Sequence, residues 1–131
     1  MNRTDAREFM MKVFYQMDVN NDYDETDYEK YLSEGKIGKQ REYCERLCKL
    51  ICENREAIDA EIEKYSIGWS IDRMPKTDIA ILRLAACEIS YIDDVPSAVA
   101  INEAVDLAKK YGTDQSPKFV NAILGNIVKE G

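Results

Sequence analysis

A chain of 131 residues, with 45% hydrophobic and 33% charged residues, has the size and composition of one globular domain. It contains no histidine, which excludes histidine-based catalytic triads, histidine proton shuttles and most zinc-hydrolase sites. No apolar run is long enough to cross a bilayer, and no signal peptide precedes the first charged residues. We therefore expect a cytoplasmic protein that does not engage a membrane.

The formal net charge of −7 is concentrated in one segment. Residues 18–34 contain seven acidic residues and one lysine, a net charge of −6, whereas the first 12 residues carry three basic and two acidic residues. Nucleic-acid phosphates are bound by Lys and Arg, so an acidic chain argues against such a partner. Because the acidity is local, a basic face elsewhere is still compatible with this composition.

Residues 4–17 are predicted to form an amphipathic helix, because apolar residues recur there every three or four positions. The members of this apolar stripe are Ala6, Phe9, Met10, Val13, Phe14 and Met17. Arg3, Arg7 and Lys12 lie off the stripe, which on pattern alone indicates a solvated helix face.

The acidic segment is predicted to be a loop that runs into a short helix near residues 26–34. Its polar residues have the spacing of positions 1, 3, 5, 7 and 12 of a calcium-binding loop, namely Asp18, Asn20, Asp22, Asp24 and Glu29. However, Tyr23 occupies the sixth position, which requires glycine, and Glu25 occupies the eighth, which is usually apolar. A solvated connection between helices is the favoured interpretation, and a calcium site is the alternative.

Residues 39–66 are predicted to form a long helical segment, broken near Asn54, with an apolar stripe of Leu47, Ile51, Ile58, Ile62 and Tyr65. Cys44, Cys48 and Cys52 recur on it every fourth residue. Cys44 and Cys52 would lie ~12 Å apart along the helix axis, too far for one tetrahedral metal site. Zinc would need Cys87 or a carboxylate as a further ligand, so we interpret the cysteines as buried thiols and predict neither a metal nor a cofactor.

Gly68 and Trp69 mark a joint, after which three further helices are predicted. The first runs from Pro75 to about Ile92, with Ile79, Leu82, Ala86 and Ile89 facing inward. Arg83 lies beside that stripe, and we expect it to form a buried or half-buried ion pair with Glu88 or Glu103.

The last two helices form a predicted hairpin with clear start and stop signals. Pro96 and Ser97 begin the first helix, where the Ser97 hydroxyl can accept a hydrogen bond from an otherwise unpaired backbone N–H group. Gly112 is predicted to end this helix in a left-handed conformation. Ser116 and Pro117 repeat the start signal. The inward-facing positions are Ile101, Ala104, Val105 and Ala108 in the first helix, and Val120, Ile123, Leu124 and Ile127 in the second.

These elements predict an all-α fold of about seven helices in one domain, residues 1–131. We expect two small helical bundles, roughly residues 1–67 and 68–131, packed across the joint between Trp69 and Pro75. The chain contains neither a glycine-rich phosphate loop nor a nucleophile elbow, so we predict that it is not an enzyme.

A binding surface is better supported at the start of the last helix. Its N–H groups and the positive end of its dipole favour a phosphate, and Lys118 adds a positive charge there. Lys109 and Lys110 end the preceding helix nearby in the sequence. Phe119 is off-centre on the apolar stripe, so the pattern is compatible both with a core ring and with a partly exposed ring that stacks on an unpaired base.

Five segments of the sequence resemble those of a known protein family. The segments REFMMKVFYQ, WSIDR, DIAILRLAACEI, AINEAVDLAKKYG and KFVNAILG occur in this order, and together they resemble the NusB family of bacterial transcription antitermination factors. The resemblance covers nearly the whole chain. It implies an all-helical protein that binds boxA-type single-stranded RNA together with the small ribosomal protein NusE, within the transcription elongation complex.

The resemblance also implies roles for individual residues. The expected RNA-binding residues are Arg3, Arg7, Lys110, Gln115, Lys118 and Phe119, and the expected contacts to the protein partner are Tyr15 and Asp78. We expect the cationic side chains and the Phe119 ring to share one patch. Thr4 and Asp5 replace residues that are often basic in the family, which favours as an alternative a protein-interaction module with weak or no RNA binding. The sequence leaves open whether the chain forms a homodimer.

Overall fold

The computed structural model describes residues 1–24 and 26–130, and its regular elements are six α-helices and two short 3-10 helices. The α-helices are α1 (Arg3–Asn20), α2 (Glu29–Leu32), α3 (Arg41–Lys64), α4 (Lys76–Tyr91), α5 (Ser97–Tyr111) and α6 (Ser116–Glu130). The 3-10 helices, Gly38–Gln40 and Ile71–Arg73, precede α3 and α4. The prediction of an all-α fold with about seven helices is therefore confirmed.

Helix α4 is the centre of the molecule. Its residues 78–88 are all buried, because α4 packs against α1, α3, α5 and α6. A helix that is covered on every side needs apolar or small residues around its whole circumference, as the IAILRLAAC stretch of α4 provides. The division into bundles at residue 67 stays a prediction, since α4 contacts helices from both proposed bundles.

The predicted apolar stripes of α1 and α6 face this core. In α5 the prediction is partly wrong, because Val105 is half-buried outside the core and Leu107 is buried instead. In α1, Met10, Phe14 and Met17 are almost completely buried, and in α6 Val120 and Leu124 are as well. Burial of each large apolar side chain contributes about 1.5–3 kcal/mol relative to exposure. The amphipathic pattern therefore identifies the inward faces of both helices.

The predicted break in the long helix near Asn54 is wrong, because α3 runs without interruption from Arg41 to Lys64. The Asn54 side-chain amide donates a hydrogen bond to the Leu50 carbonyl one turn earlier, at 3.0 Å. The Asn54 amide thus has its partner within α3, and the helix continues past this residue.

Two predicted capping roles are also wrong. The residue before α5 is Pro96, and no side chain caps that helix, so Ser97 is its first residue and not its cap. Gly112 follows α5 in an extended conformation (φ −93°, ψ −167°), not a left-handed one. Glycine is needed there for space, because a Cβ would lie 2.5 Å from the Cβ and Oγ atoms of Ser116.

Arg83 is buried in an ion pair as predicted, but its partners differ from those expected. The guanidinium donates to Asp59 of α3 and to Asp18 of α1, each at 2.8 Å, and not to Glu88 or Glu103. The arginine therefore joins three helices through charge-assisted hydrogen bonds.

The calcium-like spacing in the acidic segment corresponds to a set of internal contacts. Asp18 binds Arg83 and Lys76, while Asp22 binds Lys30 and Glu29 binds Arg41. These carboxylates thus have protein cations as partners. Glu25, the eighth position of the spacing, lies outside the described residues.

Cys44, Cys48 and Cys87 are buried free thiols and Cys52 is half-buried, which confirms the predicted burial for the first three. Burial raises the pKa of the Cys44 thiol to about 11 and also raises those of Cys48 and Cys87. Within residues 1–24 and 26–130, no three His, Cys, Asp or Glu side chains are placed to hold a metal ion. None of the helices described there has the length and apolar character needed to cross a bilayer.

Candidate nucleic-acid interface

A groove opens where the N-terminal ends of α4 and α6 meet the loop after α3. It has a volume of about 260 Å³ and is lined by Trp69, Pro75, Asp78, Thr113, Gln115 and Phe119; we call it the aromatic groove. The Trp69 side chain is 51% exposed, and Phe119 is half-buried. Two aromatic rings thus line one open cleft, and aromatic rings of this kind stack on unpaired bases.

Asp78 forms the polar floor of the aromatic groove. The residue is only 3% exposed, and its Oδ1 atom has no hydrogen-bond partner among the described residues. Burial raises the pKa of the Asp78 carboxyl, although a hydrogen bond with Ser116 opposes this shift. This oxygen is closed to solvent as well as unpartnered, which costs free energy, so a ligand donor reaches it only if the side chains around the groove shift.

The hinge between α5 and α6 holds one edge of the groove. The Ser116 hydroxyl oxygen accepts a hydrogen bond from the Thr113 backbone N–H at 2.9 Å. This contact fixes the turn from which Gln115 and Phe119 reach the groove. Gln115 is exposed, and a neutral amide there adds no repulsion toward a phosphate.

Lys118 is exposed beside the groove, in the first turn of α6. No carboxylate of the described residues forms an ion pair with it. Its ammonium group and the positive end of the α6 dipole therefore both favour an anion at this edge.

Lys110, in contrast, is already paired. Its Nζ atom lies 2.8 Å from Glu8 Oε1, and the Tyr111 hydroxyl donates to the same carboxylate oxygen. These two hydrogen bonds lower the pKa of Glu8. A phosphate that binds Lys110 must compete with Glu8.

Lys12 is a cation that the sequence did not single out as a binding residue. It is exposed on α1, with its Nζ atom 5.5 Å from the centre of the Tyr111 ring. Lys12 lies four residues after Glu8 and therefore on the same face of α1. Because Glu8 binds Lys110, this spacing places Lys12 near Lys110. Trp69, which the sequence indicates only as a joint between helices, also lines the aromatic groove.

The structure places Arg7 in the interior, which corrects the expectation that it lies on an exposed helix face. It is 5% exposed, and its guanidinium forms ion pairs with Glu88 at 2.9 Å and Glu103 at 3.0 Å. Both carboxylates belong to other helices, so nothing in the local pattern of α1 could indicate them. With its donors occupied, Arg7 is not available to an RNA phosphate in this arrangement.

Arg3 lies far from the aromatic groove. It lines a different cleft with Ile92, which follows the C-terminal end of α4, whereas Asp78 is in the first turn of α4. Asp78 and Ile92 are 14 positions apart, which corresponds to ~21 Å of helix rise. The predicted common patch is therefore divided into two regions at opposite ends of α4.

Tyr15, one of the two residues expected to contact a protein partner, is 39% exposed on α1. Asp78, the other, is buried on the floor of the aromatic groove. Only Tyr15 thus presents a large accessible surface to a partner.

Together, the central buried helix and the groove with two aromatic rings define a small all-α protein with an open, aromatic-lined cleft at one end. A sequence model described as NusB family matches residues 4–129, and the chain belongs to this family. It is 47% identical to the transcription antitermination protein NusB of Alkaliphilus oremlandii over 131 residues, covering 99% of this chain and 95% of the relative. The corresponding protein of a Thermoanaerobacter species is 45% identical over 130 residues, with coverage of 99% and 92%.

Solved structures agree with this assignment. The chain superimposes on T. maritima NusB with a TM-score of 0.89 at 38% identity, covering 99% of this chain and 92% of the other. It also matches a chain in a crystal structure of the antitermination factors NusB and NusE in complex with dsRNA, with a TM-score of 0.85 at 29% identity and coverage of 98% and 97%.

Proposed function

We propose that this chain is a non-catalytic transcription antitermination factor that binds boxA-type single-stranded RNA together with NusE. In this role it supports processive transcription of ribosomal RNA as part of the elongation complex. The observation that carries the proposal is the aromatic groove, whose lining combines the rings of Trp69 and Phe119 with the buried carboxyl of Asp78. Membership of the NusB family supports it, and the likeness to a chain solved with NusE and dsRNA supports binding of NusE and of RNA in general.

The groove supports single-stranded RNA better than a duplex, because bases must be unpaired to stack on protein rings. A base between Trp69 and Phe119 could donate an N–H bond to Asp78 while Lys118 binds the adjoining phosphate. Stacking is worth about 1–3 kcal/mol per base and tolerates different bases, whereas the Asp78 oxygen selects for a donor edge.

The protein partner is proposed to bind next to this groove, with Tyr15 as its exposed contact and Asp78 at the border. Residues 18–34 carry a net charge of −6, and Asp24, Asp27, Glu29 and Glu34 are exposed there. A negative surface attracts a basic ribosomal protein and speeds encounter more than it increases final affinity.

A protein-interaction module with weak RNA affinity is the second candidate, and two observations favour it. Arg7 is enclosed by carboxylates, and Lys110 is paired with Glu8. Each cation that does not reach a phosphate removes the free energy of counterion release. If the chain is a protein-interaction module, it should bind NusE but show no salt-dependent binding of RNA.

The test is a salt titration of binding to a boxA-type single strand, with and without purified NusE. Phe119→Leu removes the ring but keeps an apolar side chain, and we expect a loss of ~1–3 kcal/mol of RNA affinity. Phe9→Leu is the matched control, because Phe9 is also a half-buried helical phenylalanine but lies outside the groove.

Three results would contradict the RNA role. They are a log–log salt slope near zero for the unchanged protein, equal losses for the two variants, and no loss for Phe119→Leu. Retained NusE binding with a zero salt slope would establish the second candidate.

A further inference from the structure

A second groove lies at the opposite end of α4 from the aromatic groove. It has a volume of about 260 Å³, and its lining residues are Arg3, Lys39, Glu42, Tyr43, Arg46, Ile92 and Asp94; we call it the α3 groove. Three of the lining residues are cations and two are carboxylates. The lining therefore has one more cation than carboxylates, in a chain whose net charge is −7.

Arg3 is held in place on a buried aromatic ring. Its guanidinium carbon lies 4.0 Å from the centre of the Tyr43 ring, and its Nε atom donates to Gln40 Oε1 at 2.7 Å. Tyr43 is itself fixed, because its hydroxyl donates to Glu88 at 2.7 Å and the residue is only 6% exposed. Arg3 is therefore ordered by contacts that do not neutralise its charge.

The two terminal nitrogens of Arg3 have no acceptor among residues 1–24 and 26–130. The Nε atom of Arg3 is occupied by Gln40, and one face of its guanidinium is stacked on the Tyr43 ring. The two terminal nitrogens still present a planar pair of N–H donors. Such a fork binds phosphate oxygens in a bidentate manner, and its fixed position reduces the entropy lost on binding.

The other two cations of the α3 groove have at most weak partners, since Arg46 donates to the Tyr91 carbonyl oxygen only at 3.5 Å. Lys39 is exposed and forms no ion pair with the described residues. Arg46 approaches Asp94 only to 3.8 Å, in a pair whose side chains are 50% and 82% exposed. Exposed pairs of this kind contribute little, so a phosphate can replace Asp94 as the partner of Arg46.

We infer that the α3 groove binds backbone phosphates of the same RNA strand whose bases enter the aromatic groove. This inference rests on the proposed function and extends it to Lys39 and Arg46. The ~21 Å along α4 between the grooves corresponds to about six stacked nucleotides at 3.4 Å each. The α3 groove therefore acts on nucleotides that flank the recognised segment and provides affinity without sequence preference.

The experiment compares two strands that share one recognised segment, a short one of about 4 nucleotides and a long one of about 16. The variant Lys39→Gln/Arg46→Gln should weaken binding of the long strand several-fold and lower its log–log salt slope by about 1.4, since each lost contact with a single strand removes about 0.7. The short strand should bind the variant and the unchanged protein equally.

The matched control is Lys49→Gln/Lys129→Gln, which removes two exposed charges outside both grooves. It should leave the difference between the strands unchanged. Asp94→Asn supplies a test by gain of binding, because it removes a competing carboxylate and should strengthen binding of the long strand alone.

The inference is overturned if the groove variant binds the long strand normally, if it weakens both strands equally, or if the control weakens the long strand as much. The absence of an Asp94→Asn effect also counts against it. In all these cases the short strand still binds, so the proposed function survives. If the unchanged protein binds neither strand, the proposed function fails first.

Discussion

The Arg7 guanidinium meets the Glu88 carboxylate between α1 and α4, with 2.9 Å between Nε and Oε1, although the two residues are 81 positions apart in the sequence. A second bond, from Nη2 to Oε2, measures 3.0 Å. The bidentate pair fixes the register of α1 against the central helix. Tyr43 donates to the same carboxylate, so α3 joins the network and supports Arg3 at the surface.

Arg7→Ala should lower the free energy of unfolding by about 3–5 kcal/mol, because it leaves Glu88 buried without its cation. Urea denaturation at neutral pH measures this change. Arg41→Ala is the control: Arg41 pairs with Glu29 and Glu45 on the surface, where the loss should be at most about 1 kcal/mol. Full stability of Arg7→Ala together with lost RNA binding would instead identify Arg7 as a direct RNA contact.

The Asp18 cluster predicts a dependence of stability on pH. Burial alone would raise the pKa of Asp18, but hydrogen bonds from Lys76, Arg83 and Tyr23 lower it to about 2. The unfolded-state pKa is about 3.9, so the carboxylate stabilises the fold by about 2 kcal/mol above pH ~5. This contribution is lost as the pH falls through ~4 towards 2, where the folded protein also takes up the proton.

Asp18→Asn should therefore be less stable than the unchanged protein at pH 7 and nearly equal to it at about pH 2. Urea midpoints across this range give the comparison. Asp72→Asn, at an exposed position in the turn before α4, should leave the pH profile unchanged. A constant gap between Asp18→Asn and the unchanged protein at every pH would contradict the assigned role.

Two glycines with different surroundings give a third prediction. At Gly112, an added Cβ would lie 2.5 Å from Ser116 and 2.8 Å from the Ala108 carbonyl oxygen, so Gly112→Ala should destabilise the fold by ~1–3 kcal/mol. At Gly125, within α6, a Cβ meets nothing within 4 Å. Gly125→Ala should stabilise the fold by up to ~1 kcal/mol through helix propensity. Thermal unfolding of both variants tests the pair, and changes of the same sign would refute it.

Helical periodicity in the sequence was enough to predict the all-α fold and the apolar faces of α1 and α6, but not the unbroken course of α3. The stripe of Val120, Ile123, Leu124 and Ile127 lies in the core as predicted, because helical periodicity follows from local backbone geometry. The ring of Phe119 is half-buried, in agreement with its off-centre position on that stripe. Family membership could also be inferred from the sequence, because five long segments resemble those of the family and occur in the same order.

The pairing of charged side chains, in contrast, depends on how the helices pack. Arg3 and Arg7 lie one turn apart on α1, yet one faces an open cleft and the other is enclosed by Glu88 and Glu103. Arg83 likewise takes Asp18 and Asp59 as partners, and not the glutamates nearer to it in the sequence. These choices depend on how helices distant in sequence pack against α4, and a pattern read along one helix contains no information about its neighbours.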